Sequence, residues 1–102
     1  MATAASAKSV RTQERDAENS KKQAGRWLRE RRQKAGLSQM DLAERLDLKY
    51  YTFISQIENG YGRVPSHSMA DWARALGIRP RLFARTLLGY YDPPLYQVLF
   101  EE

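Results

Sequence analysis

Apolar side chains recur at three- and four-residue intervals in short blocks along this chain, separated by glycine, proline and small polar residues. That period is helical. Ser20-Lys21-Lys22-Gln23 has the form of a capping box, serine at the N-cap and glutamine three residues on. A helix from there to about Ala35 has Trp27 and Leu28 on one side and Arg26, Arg29, Arg31, Arg32 and Lys34 on the other, with Gly36 placed to stop it. Ser38, with Asp41 three residues later, opens a second helix carrying Leu42, Ala43 and Leu46. Asp47-Leu48-Lys49 reads as a short connector to a third helix, Tyr50 to Glu58, whose apolar stripe is Phe53, Ile54 and Ile57 and whose end is Asn59-Gly60. Ser66 or Ser68 caps a fourth helix holding Met69, Trp72, Ala73 and Leu76, ended by Gly77. Pro80 suits the first turn of a fifth, with Leu82, Phe83, Leu87 and Leu88 apolar. No repeat and no strand-rich stretch appears. The expected fold class is all-α, a small bundle of about five helices.

The two ends differ from the middle. Residues 1–19 are small, polar and charged, with Val10 the one sizeable apolar side chain after Met1. So little apolar surface does not offset the entropy of ordering, and the expectation is a flexible basic arm. Good helix formers from Arg11 to Glu18 would alternatively extend the first helix backwards. Residues 20–88 form the domain proper. In residues 89–102, turn chemistry at Tyr90-Tyr91-Asp92-Pro93-Pro94 precedes Leu95, Tyr96, Val98, Leu99 and Phe100. That segment is too apolar to hang free. It folds back on the bundle, joins two copies, or does both.

With 102 residues the chain has the length of one domain. No apolar run approaches the roughly 20 residues of a membrane span, and no signal-peptide core is present. There are no cysteines and a single histidine, His67. Disulfides, thiolate chemistry, Cys-based metal sites and paired-His sites are thereby excluded, and no cofactor is expected. Lys and Arg number 17 against 12 acids, a net +5, with a pI near 9.7. The charge is uneven: residues 1–37 carry +6, residues 38–62 carry −2 and residues 63–102 carry +1. A basic domain of this size points to an anionic partner such as nucleic acid or a membrane surface.

Two short helices joined by a few residues, the second polar on its leading edge, have the form of a helix-turn-helix. Its second helix must enter a major groove about 12 Å wide, so small or apolar residues face the bundle and polar ones face out. Ala43, Ile54 and Ile57 suit the first task. Tyr51, Thr52, Ser55 and Gln56 remain for base edges. Leu28-Arg29-Glu30-Arg31-Arg32, Gly36-Leu37-Ser38-Gln39, Asp41-Leu42-Ala43, Ile54-Ser55-Gln56-Ile57-Glu58-Asn59-Gly60 and Ala73-Arg74-Ala75-Leu76-Gly77-Ile78 together resemble the Cro/CI-type helix-turn-helix (XRE) family, over about residues 25–88. The resemblance implies a phage-repressor-like fold that binds double-stranded DNA. It implies base contacts from the Tyr51, Thr52 and Gln56 positions and phosphate contacts from Gln39 and Asn59, which Arg63 would extend. Lys49 and Tyr50 join the phosphate set, and Ser55 the base set. Arg32 and Glu58 match a charged pair that ties the first helix to the third.

The chain departs from the family pattern in one region. Leu46 and Ile54 are separated by one residue more than usual, Asp47 stands where the family has glycine, and the leading edge Lys49-Tyr50-Tyr51-Thr52-Phe53 is unusually aromatic. Either the turn is longer or the third helix begins earlier. Phe53, at a position where the family often has a small polar residue, would fill a core gap opened by the insertion. Simpler readings stand beside the functional ones. Tyr50 and Tyr51 could pack between helices, Gln56 and the basic first helix could be solvated faces, and Lys8, Arg11, Arg15, Lys21 and Lys22 could be tail charges rather than DNA contacts. His67 reads as a surface neighbour of a cap; Trp27 and Trp72 read as core.

The leading expectation is a sequence-specific, cytoplasmic, nucleoid-associated transcriptional regulator of bacterial type, acting as a homodimer. The alternative is a protein-interaction module on the same fold, such as an antitoxin or a partner of another regulator. It is motivated by the acidic middle and the apolar C-terminal segment. An enzyme is not expected, since no phosphate loop, metal-ligand set or nucleophile–base pair is present.

Overall fold

The computed structural model describes residues 2–101, with side chains from Arg15 onward. Six helices run in order: α1 (Ala2–Lys34), α2 (Gln39–Arg45), α3 (Thr52–Glu58), α4 (Met69–Leu76), α5 (Pro80–Tyr91) and α6 (Pro93–Phe100). A single 3-10 turn at Ser66–Ser68 leads into α4. No strand occurs among the described residues, and no helix among them is long and apolar enough to cross a membrane. The bundle therefore has one helix more than the five expected. The extra one is α6, where Asp92 caps the segment by accepting from the Leu95 N–H and Pro93 takes the first turn.

The first helix also starts earlier than the Ser20 cap suggests. It runs through Ser20 and Gln23 without a break. Residues 2–19 lack glycine and proline and are rich in Ala, so nothing local stops a helix there. The segment expected to be an arm is thus the leading part of α1. Thirty-three residues span about 50 Å at the helical rise, close to the 53 Å long axis of the molecule.

α1 to α4 all end in the same way. The N–H of a left-handed residue and of the one after it bond back to the last turn, at Gly36–Leu37, Asp47–Leu48, Gly60–Tyr61 and Gly77–Ile78. At the second of these, Asp47 takes a left-handed φ of 58°, a conformation that aspartate tolerates better than most side chains. Asp47 thereby does the work of the family's glycine, and Leu48 turns inward against the core. The chain then needs the residues up to Tyr51 before α3 can begin at Thr52, two residues later than expected. The additional residue lengthens the turn and leaves the helix register intact from Ile54 onward.

The core is assembled from all of the first five helices. Ala24 and Leu28 of α1 meet Leu42 and Ala43 of α2, Ile54 and Ile57 of α3, Trp72, Ala73 and Leu76 of α4, and Phe83 and Leu87 of α5. Trp72 and Phe83 are the largest side chains wholly removed from water. Trp27 is half-buried and packs its ring on Phe83 at 5.7 Å between centroids. Phe53 is not in this core: it is 37% exposed. The longer turn opens no gap for it to fill, because Leu46 and Leu48 pack against the core there.

Candidate nucleic-acid interface

α3 is held from behind by α1. Gly25, Arg29 and Arg32 recur at intervals of four and three residues, so they share one face of α1, and this face meets the end of α3. At Gly25 the helices approach so closely that a Cβ would stand 2.6 Å from the carbonyl oxygen of Ile57. Arg32 grips the Glu58 carboxylate with two bonds, Nε to Oε2 at 2.7 Å and Nη2 to Oε1 at 3.0 Å. Its third donor, Nη1, reaches the Leu37 carbonyl at 2.8 Å. Arg29 donates to Glu58 Oε1 at 3.4 Å and to Asn59 Oδ1 at 3.0 Å. The Gln39 amide donates to the same Glu58 oxygen at 3.1 Å. A buried carboxylate is thus shared by α1, α2 and α3. Burial pushes the Glu58 pKa up, but the hydrogen bonds from Arg32, Gln39 and Arg29 and the Arg32 charge outweigh it, and the net shift is downward.

This clamp fixes which face of α3 looks outward. Ile54, Ile57 and Glu58 are buried, whereas Thr52, Phe53 and Gln56 are exposed and Ser55 is half-buried on the shoulder. Asn59 donates to Ser55 Oγ at 3.4 Å while accepting from Arg29. Tyr51 sits at the N-cap, exposed, and makes no side-chain cap bond. Tyr50 is exposed with Lys49 Nζ 5.5 Å above its ring. Neither tyrosine packs in the core. Together with Met40 and Glu44 they line an open groove between α2 and the turn.

The acidic middle of the chain looks different once folded. Glu58 is buried and paired, and Asp41 is tied to Ser38, whose backbone N–H and hydroxyl form both halves of the capping box. The Ser38 bonds, backbone first, lower the Asp41 pKa. The outward residues of α3 itself, Thr52, Phe53 and Gln56, carry no charge.

Arg63 is exposed beyond the end of α3, its guanidinium 5.4 Å from the Tyr91 ring centroid. Tyr91 in turn accepts the Val64 N–H at 3.2 Å, and burial raises its pKa. The structure therefore brings Gln39, Tyr51, Thr52, Ser55, Gln56 and Asn59 around α3, with Lys49, Tyr50 and Arg63 at its two ends. Gly25 and Arg29 belong to the same assembly and were not among the sequence candidates. Their only signal was the spacing to Arg32. Among the tail residues, Tyr96 lies on Phe100 at 5.1 Å between centroids, and Arg85 of α5 sits 4.5 Å from the Phe100 ring. α6 folds back on α5, while Leu95, Val98 and Leu99 face solvent. Of the suggested DNA-contacting charges near the N-terminus, Lys8 and Arg11 lie outside the residues whose side chains are described.

A family model described as helix-turn-helix matches residues 28–83, from Leu28 in α1 to Phe83 in α5. No curated protein matches the chain. The matched span is more than half of the sequence, and the chain belongs to the helix-turn-helix family of Cro/CI type, a family of DNA-binding regulators.

Proposed function

We propose that this helix-turn-helix protein is a sequence-specific transcriptional regulator that places α3 in the major groove of double-stranded DNA. Thr52, Ser55, Gln56 and Tyr51 would read base edges. Gln39, Lys49, Tyr50, Asn59 and Arg63 would hold phosphates and so set the register. One observation carries the reading: α3 buries its only acid in an arginine clamp and turns an uncharged face outward, on which Thr52 and Gln56 offer hydrogen bonds. A free carboxylate there would oppose the approach of a phosphodiester chain; the clamp removes it. Gln39 fits a dual role, since one amide N–H goes to Glu58 and the side chain remains half exposed.

The protein would act in the cytoplasm on nucleoid DNA as a homodimer, with two α3 helices reading half-sites one helical turn, about 34 Å, apart. The exposed Leu95, Val98 and Leu99 of α6 support self-association. The same apolar face would equally serve a protein partner, the second reading. Salt separates the two. Binding to duplex DNA weakens linearly on a log–log plot as counterions are released, and burial of an apolar face does not. A steep negative salt slope in a duplex titration supports the regulator. A flat response shifts the function to protein recognition.

A further inference from the structure

Phe53 is the one large apolar side chain on the outward face of α3. It is 37% exposed and not part of the buried core, and among the described residues no cation or ring is packed on it. It stands one helical turn before Gln56, three residues on, so the two side chains are neighbours on the surface, with Cβ atoms about 5–6 Å apart. In the major groove the base edges are mainly hydrogen-bonding groups, and the one apolar group that projects from them is the C5-methyl of thymine. Resting on the reading of α3 as the recognition helix, we propose that Phe53 is a specificity-determining residue that packs on a thymine methyl beside the base addressed by Gln56. The pairing is chemically complementary. Glutamine suits the donor–acceptor edge of adenine, and phenylalanine suits the methyl-bearing edge of thymine. An aromatic ring presented to a groove lined only with polar edges would lose hydration without return, whereas a methyl contact gives it an apolar partner.

Deoxyuridine isolates this contact, because it keeps every hydrogen-bonding group of thymidine and lacks only the methyl. The experiment takes the duplex that the full chain prefers and replaces each thymidine singly by deoxyuridine. Wild type, Phe53→Ala and Phe53→Leu are titrated against the set, and thermal melts confirm that both variants fold. We expect one or two positions at which the exchange weakens wild-type binding about threefold to tenfold. Phe53→Ala should bind the thymidine duplex more weakly and be indifferent to the exchange at those positions. Phe53→Leu should keep part of the discrimination. A wild-type protein that binds all thymidine and deoxyuridine duplexes alike overturns the proposal while leaving the regulator reading intact. So does a loss that persists undiminished in Phe53→Ala. If no duplex is preferred by the wild type, the regulator reading itself fails and takes the methyl contact with it.

Discussion

Gly25 of α1 faces the backbone of Ile57 in α3 with no room between them: a Cβ at position 25 would stand 2.6 Å from the Ile57 carbonyl oxygen. Backbone, not a movable side chain, occupies that space. The crossing of α1 over the end of α3 therefore depends on the absence of a side chain at this position. It sets the distance at which Arg29 and Arg32 reach Glu58.

Gly25→Ala should accordingly push α1 and α3 apart. Overpacking of this kind costs roughly 1–3 kcal/mol, which in a domain of this size lowers Tm by several degrees for each kcal/mol. Thermal unfolding by circular dichroism checks it. An unchanged Tm would mean that the helices separate without loss and that the close approach is not a constraint.

Glu58→Gln should be strongly destabilising, by about 3–5 kcal/mol, since it leaves Arg32 buried with no anion. The wild-type pH dependence follows from the same group. Its pKa is lowered in the folded protein from an ordinary 4.5, so the folded state binds the proton less readily than the unfolded one. The stability this contributes is fully present above about pH 4.5 and is lost as pH falls through the folded-state pKa. Urea unfolding from pH 6 down to pH 3 should show a decline in the wild type that is shallower in Glu58→Gln.

Gln56→Ala and Arg63→Ala should differ in kind. Loss of a bidentate glutamine contact should relax preference at one or two base pairs, by about 1–3 kcal/mol. Loss of a phosphate contact from Arg63 should weaken all sequences nearly alike and reduce the salt slope by about one. Titrations of each variant against the preferred duplex, its single-base changes and a scrambled duplex distinguish them. An unaltered sequence preference in Gln56→Ala would move base reading to another part of α3.

Val98 is 79% exposed, so Val98→Glu should leave the monomer's fold and Tm nearly unchanged. If the α6 face joins two copies, the substitution should shift the mass measured by light scattering from two chains to one. Cutting the chain after Asp92 is a less clean test, because Tyr96 and Phe100 also cover α5 next to Gly89 and Arg85.

What could be read from the sequence was whatever is decided within a few residues. The Ser38–Asp41 box, the ends at Gly36, Gly60 and Gly77 and the proline opening of α5 depend on local backbone chemistry, and all occur where the chain signals them. The Ser20–Gln23 box misleads because a capping sequence inside good helix formers has nothing to interrupt the helix around it. Tyr50 and Tyr51 look helical by pattern, yet they belong to the turn. The left-handed Asp47 and the inward Leu48 consume the residues that would have started α3. Asp92 followed by two prolines was a readable helix start, masked by the turn propensity of the same residues. Arg29 and Gly25 were beyond local reading, since what matters about them is where α1 crosses α3. Phe53 falls by pattern on the apolar stripe with Ile54 and Ile57, but Leu46 and Leu48 leave no gap at the longer turn for it to fill, and it lies outside the core.

The most direct test of α3 as a sequence reader is selection of bound duplexes from a random library at about 150 mM salt, followed by titration of the enriched duplex against a scrambled one. If α3 reads sequence, a near-palindromic motif is enriched, its half-sites about one helical turn apart, bound at least about a thousandfold more tightly than the scrambled duplex. Weak binding that falls with salt and enriches no motif would contradict this reading of α3.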